Sequence, residues 1–313
     1  MVRIKVLVIA GPTASGKSDL AVEVAEEFSG VVINGDSMQI YEGLEVVTAS
    51  PKTAARSRVP HKLYGVWDPA ISCSAGQWVK LARQEIRSAH EAGLVPIVVG
   101  GTGMYLRTLT TGLSRTPPIP MAIRENVRGR LVDQGSVILH AELSKFDPDS
   151  AARLNISDRQ RIARAVEIFE ATGKTLTQWH EESGQTETSL EFEFKSVLLK
   201  PSRKLLYAAC DSRFEKMLTA GALDEVGALA NRKLDPSLPA MKALGIREIM
   251  QYLAGELSFE DAVLAGQQAT RRYVKRQGTW FKNKFIADIV VESQYNDKIH
   301  TKIFPFISNF VLT

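Results

Sequence analysis

Residues Gly11-Pro12-Thr13-Ala14-Ser15-Gly16-Lys17-Ser18 satisfy the pattern G-x-x-x-x-G-K-[ST]. Glycines at these spacings let backbone amides converge on phosphate oxygens, and a helix N-terminus behind them adds its positive dipole end. Lys17 supplies a full charge and Ser18 a hydroxyl suited to Mg²⁺. The pattern carries this chemistry only between a buried strand and a helix. Both are written into the flanks: Ile4–Ala10 is a nearly continuous apolar run, and from about Gly16 the residues Leu20, Ala21, Val24, Ala25 and Phe28 line one helical face. The eight residues read as a cradle for a diphosphate-bearing ligand.

A nucleotide hydrolase also needs an acid to hold Mg²⁺, usually Asp at the end of another buried strand. The candidate strand here, Pro96–Val99, runs into Gly100-Gly101-Thr102-Gly103 and supplies no carboxylate. A diphosphate held without the apparatus for γ-phosphoryl hydrolysis fits this pattern. The nearest strand-end acid is Asp36, after Val31–Ile33, in Asn34-Gly35-Asp36-Ser37-Met38-Gln39. It lies at the carboxyl edge of the sheet, where open α/β folds bind ligands. Three roles stand open for it: general base, magnesium ligand through water, or helix cap. A zinc site is not expected, because no two of the five histidines are closer than 29 positions and Cys73 and Cys210 form no Cys-x-x-Cys pair. Metal ligation would fall to oxygen atoms.

The elements that must position these residues alternate strand and helix over the first 110 residues. Ser74 followed by Gln77 is a capping-box signal for a helix running to about Ala92, with Gly93 as its stop. Strand-helix alternation predicts a parallel sheet covered on both faces. Leu113–Pro120 carries three prolines and reads as a hinge. From about Met121 to Gly184 the patterns are helical, the clearest helix starting at a Ser157 cap and running through Arg159–Thr172 to Gly173. Lys195–Lys200 returns to the sheet, and helical patterns resume at about 211, 246 and 259. The expected fold class is α/β, a P-loop NTPase-like parallel sheet core with a helical insertion domain. The expected parts are residues 1–118 with 191–290 as the core, 119–190 as the insertion and 291–313 as a C-terminal tail, of which Asp297–Thr313 has no decisive pattern.

Composition sets the frame. In 313 residues, 44% are apolar and 24% charged, which excludes a disordered chain, a collagen-like fibre and a coiled-coil rod. No run reaches the roughly 18 apolar residues of a membrane span, and the first residues lack a signal-peptide core. A soluble, cytoplasmic protein with no membrane partner is expected. The net charge of +4 is a mild excess, but its placement is not even. From Gly266 to Phe285 there are Arg271, Arg272, Lys275, Arg276, Lys282 and Lys284 and no acid, so the rest of the chain is net acidic. A basic helix can be a plain solvated face or a nucleic-acid grip. Tyr273, Trp280, Phe281 and Phe285 interleave with these charges and are expected to pack inward.

With these residues in hand, the chain resembles the tRNA isopentenyltransferase (tRNA dimethylallyltransferase) family over roughly residues 4 to 288. The resemblance is carried by residues 11–18, Asp36–Tyr41, Val99–Tyr105, Asp158–Arg164, Arg213–Leu218, Ala243–Glu248 and Thr270–Trp280, in that order. It implies transfer of a five-carbon prenyl group from dimethylallyl diphosphate to N6 of an adenosine beside the anticodon, position 37 of tRNAs reading codons that start with U. The diphosphate, held by Gly11, Pro12, Thr13, Ala14, Ser15, Gly16, Lys17 and Ser18, is then a leaving group, with Mg²⁺ near Ser18. Asp36 is implied as the base, Thr102 as the threonine between the two substrates and Arg213 as the arginine closing over the diphosphate. Implied tRNA contacts are Asp36, Ser37, Met38, Gln39, Thr102, Arg124, Gln160, Arg161, Ile162, Ala163 and Arg164, joined by the basic residues Arg271, Arg272, Lys275 and Arg276. The partner would be a tRNA anticodon stem-loop clamped by a monomer, its adenine flipped out of the stack. The alternatives are an adenylate isopentenyltransferase acting on free AMP, ADP or ATP, a P-loop nucleoside or nucleotide kinase, and a non-catalytic P-loop RNA-binding protein.

Overall fold

A computed structural model describes residues 3–112, 116–182 and 191–313. Its strands are β1 (Ile4–Ala10), β2 (Gly30–Asn34), β3 (His61–Lys62), β4 (Val95–Gly100), β5 (Phe192–Leu199) and β6 (Ile289–Val291). The described residues form one six-stranded sheet in the order β3-β2-β4-β1-β5-β6, with every pairing parallel. The first helices are α1 (Lys17–Glu27), α2 (Thr53–Arg58), α3 (Ala75–Glu91) and α4 (Gly103–Thr111). Then come α5 (Met121–Asp133), α6 (Gly135–Phe146), α7 (Pro148–Arg153), α8 (Arg159–Thr172) and α9 (Leu176–Glu182). The last are α10 (Arg203–Met217), α11 (Leu223–Asn231), α12 (Ile246–Leu253), α13 (Phe259–Lys284) and α14 (Asp297–Leu312).

The apolar runs explain the layering. Along β1 every second side chain faces the same way. Val6, Val8 and Ala10 join a core with Trp78, Ala82 and Ile86 of α3, Leu106 of α4 and Phe281 of α13. Leu7 and Ile9 point to the opposite face, among Leu20, Ala21 and Val24 of α1 and Ile303 and Ile307 of α14. Both faces are therefore covered, as a parallel sheet requires. The capping box at Ser74 and Gln77 is present in full and starts α3. Trp78 is wholly buried; its indole N–H donates to the Asn34 carbonyl at 2.8 Å and its ring stacks on Tyr105 at 4.5 Å.

Three expectations change. The segment after 290 is not patternless: β6 joins the sheet edge beside β5, and α14 buries Ile299, Ile303 and Ile307. Its apolar residues recur at helical spacing, but Pro305 inside the helix masks the signal. The helix after β5 begins at Arg203, where Ser202 accepts from the Leu205 N–H, eight residues before the periodicity becomes clear. In α8 the cap position is Asp158, without a side-chain cap bond. Asn155 takes the Ser157 hydroxyl at 2.8 Å, and the Asp158 carboxylate pairs with Arg161 at 2.7 Å.

The chain divides into two compact units: one holds the described residues to Thr111 and from 191 onward, the other those from Gly112 to 182. The second unit is all helical in its described residues and packs Val127, Leu139, Leu143, Ile162 and Val166 together. Asp147 caps α7 through the Ser150 N–H at 3.0 Å and accepts the Thr177 hydroxyl at 2.8 Å, which joins α9 to α7. Of the proline-bearing hinge, 113–115 lie outside the described residues, and 116–120 form no helix or strand. Because α14 covers one face of the sheet, Ile307→Ala is expected to cost about 2–4 kcal/mol, read as a lower urea midpoint. An unchanged midpoint would mean that α14 does not contribute to the core.

Candidate active site

The residues with chemical potential meet at the carboxyl ends of β1, β2 and β4. The glycine-rich loop leaves β1 and enters α1 through Gly16, whose φ of 86° is a left-handed conformation that costs a glycine little. A side chain at Gly16 would also meet Tyr295, which lies against the loop from outside. Gln294 donates to the Ala14 carbonyl at 3.0 Å and the Tyr295 N–H to the Ser15 carbonyl at 3.2 Å. These two bonds brace the loop from the segment after β6. The Ser15 hydroxyl is fully buried and has no hydrogen-bond partner among the described residues.

Lys17 reaches back to the Pro12 carbonyl at 3.3 Å. Burial pushes its ammonium down to about 8; the Asp36 carboxylate opposes the shift and Arg213 adds to it. Arg213, on α10, donates to the Thr13 hydroxyl, and burial lowers its pKa as well. Lys17 and Arg213 repel each other and both feel the Asp36 carboxylate, an arrangement of buried cations that favours an anionic ligand.

Asp36 follows β2 and is held by Asn34, a fully buried residue with its polar groups occupied. Asn34 accepts the Asp36 N–H at 2.7 Å, donates to the carbonyls of Asp36 and Leu63, and gives its own carbonyl to Trp78. No helix follows Asp36, which removes the helix-cap alternative; Oδ1 instead accepts the Met38 N–H at 3.0 Å and closes a turn. Thr102 ties the same turn, accepting the Ser37 N–H at 2.9 Å and donating to its hydroxyl at 3.1 Å. Asp36 and Arg213 line both a cavity of about 150 Å³ and the wider groove along the phosphate loop. The cavity wall away from the loop is largely apolar, with Met38, Val47, Phe214, Met217 and Leu244.

Other expected positions separate by exposure. Arg272, Lys275 and Arg276 are exposed on α13, with Arg276 over the Tyr273 ring at 5.5 Å. Arg271 is instead engaged by Asp211, at 2.6 Å. The Gln39 amide is committed to the carbonyls of Thr48 and Ala49, both at 3.0 Å. In the helical unit Gln160 and Arg161 are exposed, while Ile162 and Ala163 are buried in that unit's own core. Arg164 contacts Glu167 and Thr116, each at 3.4 Å, and Arg124 is half-buried. Phe281 is buried, and Trp280 and Phe285 pack against the same core.

The sequence reading assigned no role at the site to Gln277, Asn34 or Gln294, and expected Tyr273 only to pack inward. Tyr273 lines the cavity, and burial, with the Asp36 carboxylate, holds its phenol above the ordinary range. Gln277 had a readable signal: it shares the inward face of α13 with Thr270, Val274 and Phe281, where an apolar residue would be the default. Among the described residues no group of three or more His, Cys, Asp or Glu could hold a metal ion. The exposed Ser18 hydroxyl is a hard oxygen donor at the head of α1, so the residues fit Mg²⁺ only jointly with a bound diphosphate.

The profile of a family described as IPP transferase matches residues 39–284, and one described as isopentenyl transferase matches residues 4–60. The chain belongs to the IPP transferase family. A tRNA dimethylallyltransferase of Rhodopseudomonas palustris (strain BisB18) is 52% identical over 280 residues, covering 90% of this chain and 88% of the relative. One from Paramagnetospirillum magneticum is 46% identical, covering 98% and 97%. Among solved IPP transferases, a full-length tRNA isopentenylpyrophosphate transferase from Bacillus halodurans superposes with a TM-score of 0.70 at 30% identity, covering 99% of this chain and 97% of its own. A eukaryotic dimethylallyltransferase, solved acting on tRNA, gives a TM-score of 0.83 at 29% identity, covering 97% and 80%.

Lys17 is charged below about pH 8 and loses its proton above it. Calorimetric titration with inorganic diphosphate is therefore expected to show affinity falling from pH 7 to pH 9.5. Lys17→Met should weaken binding by about tenfold or more at pH 7, as loss of a charged hydrogen bond does, and remove that fall. An equal fall in the variant would assign the titration to another group.

Proposed function

We propose that this chain transfers the dimethylallyl group of dimethylallyl diphosphate to N6 of the adenosine 3′-adjacent to the anticodon, in tRNAs reading codons that start with U, releasing diphosphate. The observation that carries the reading is the shared wall of the cavity. Asp36 and Arg213 stand where an apolar-lined space meets a phosphate loop whose neighbouring strand β4 ends without a carboxylate. The names of the relatives and the presence of tRNA in one solved neighbour support the same reading.

In this mechanism the phosphate-loop amides, Lys17 and Arg213 hold the diphosphate. N6 bonds to the first prenyl carbon as the carbon–oxygen bond to the diphosphate breaks, its electron pair leaving with the oxygen. Charge grows on the leaving group, so donors already aimed at it stabilise the transition state. The proton lost from N6 passes to the free Oδ2 of Asp36, since Oδ1 is occupied by the Met38 N–H. Thr102 fixes that carboxylate's turn through Ser37. A bound Mg²⁺, held by Ser18 and the diphosphate, would neutralise part of the leaving-group charge. The apolar wall keeps water from the allylic carbon.

The RNA-facing part of the reading rests on charge placement. Arg272, Lys275 and Arg276 form an exposed stripe suited to stem phosphates, and Gln160, Arg161 and Arg164 of the helical unit supply a second contact. No helix among the described residues is long and apolar enough to cross a membrane. A monomer working in the cytoplasm on its tRNA completes the reading.

Incubation with dimethylallyl diphosphate and unmodified tRNA, followed by nucleoside mass analysis, is expected to yield prenyl-adenosine. Product with AMP but not with tRNA would overturn the RNA substrate. Asp36→Ala should slow turnover by about 10²–10⁴-fold, as loss of a general base does, with tRNA affinity kept. Full activity in that variant would remove Asp36 from the chemistry. Replacing Arg272, Lys275 and Arg276 together by Ala should weaken tRNA binding and reduce the slope of log affinity against log salt by about 2–3. An unchanged slope would place the RNA elsewhere.

A further inference from the structure

Gln277 sits on the inward face of α13 and is 5% exposed. Its Oε1 accepts the Thr13 N–H at 2.9 Å, and its Nε2 donates to the Gly101 carbonyl at 2.9 Å. One neutral side chain thus joins the phosphate loop after β1 to the turn after β4 that presents Thr102. The fit is close: a Cβ at Gly101 would come within 2.4 Å of Nε2, 3.2 Å of the Gly11 carbonyl and 3.6 Å of Asp36 Oδ2. Glycine at 101 is what lets the amide reach both partners. An acid or a base in this place would put a charge beside two cations and a carboxylate. An amide supplies one acceptor and one donor without adding charge.

The bond to Thr13 also has a directional effect. The Thr13 N–H is withdrawn from the ligand, while the Thr13 hydroxyl accepts from Arg213. Gln277 therefore sets which loop amides face a diphosphate and, through Thr13, where Arg213 stands. The Gly101 arm fixes the start of the Thr102 turn, which in turn holds Ser37 beside Asp36. Exposed Arg272, Lys275 and Arg276 lie on the outer side of the same helix, within about one and a half turns.

We propose that Gln277 is a positioning residue, locking the phosphate loop and the Gly101–Thr102 turn into one frame so that diphosphate and base keep their register. The proposal rests on the prenyl-transfer reading for its kinetic consequence, but not for its binding consequence. Gln277→Met keeps shape and removes both hydrogen bonds. It is expected to weaken inorganic diphosphate binding by about tenfold and to lower kcat by a similar factor. Affinity for tRNA should stay within about twofold, and thermal midpoint within a few degrees.

Gly101→Ala crowds Gln277 from the other side and should reproduce this pattern. In a Gln277→Ala background the 2.4 Å clash is gone and only the 3.2 Å approach to the Gly11 carbonyl remains, so Gly101→Ala should cost less there than it does alone. Unchanged diphosphate affinity and kcat in a folded Gln277→Met protein would overturn the proposal. So would losses in tRNA affinity and thermal midpoint that match the loss in diphosphate affinity, or full additivity of the Ala substitutions. If the unaltered protein binds diphosphate but makes no prenyl-adenosine, the functional reading fails while the binding arm still decides the role of Gln277.

Discussion

A buried amide between two backbone groups holds the site together. Strands of a parallel sheet end at the same edge, but the ladder of bonds stops there, so the loops that leave them need other contacts to fix their distance. Here Gln277 bridges the loop after β1 and the turn after β4, while Asn34 fixes the turn after β2. Each bond contributes only about 1 kcal/mol net, yet leaving one of these buried groups unpaired costs about 1–3 kcal/mol. The arrangement is therefore kept less by attraction than by the cost of any alternative pairing. Burial, and to a lesser degree Arg213, lowers the pKa of Lys17, and burial lowers that of Arg213, so this pair favours an anionic ligand.

The same frame explains how one long helix serves two surfaces. On α13 the inward residues Thr270, Val274, Gln277 and Phe281 are buried, and the outward Arg272, Lys275 and Arg276 are exposed. A helix repeats every 3.6 residues, so a basic stripe and a site-building stripe coexist without mixing. The small positive total charge conceals this separation. Arg271 shows that position alone is not enough: Asp211 takes its guanidinium in a two-pronged pair, and it then works as a brace between α10 and α13.

Much of this was legible in the sequence where a local pattern decides the structure. The apolar run of β1 and the spacing of Gly11 to Ser18 fix the phosphate loop, and the Ser74 capping box fixes the start of α3. Asp36 could be found by its place after a buried strand, but not its turn, which depends on Asn34 and on Thr102, 66 positions away in the chain. Short β3 and β6 have no pattern of their own and exist because a neighbouring edge pairs with them. The helix α14 was hidden by Pro305, and Gln294 and Tyr295 gave no sign that they would brace the phosphate loop. Contacts of this kind are set by tertiary packing, and single-chain periodicity does not encode them.

The most direct test concerns the fate of the diphosphate. With dimethylallyl diphosphate and tRNA, the protein should release pyrophosphate in equal amount to the prenyl-adenosine formed. It should release no orthophosphate from ATP when the prenyl donor is left out. Orthophosphate release from ATP without the donor, or prenyl-adenosine formed without matching pyrophosphate, would contradict a phosphate loop that holds a leaving group.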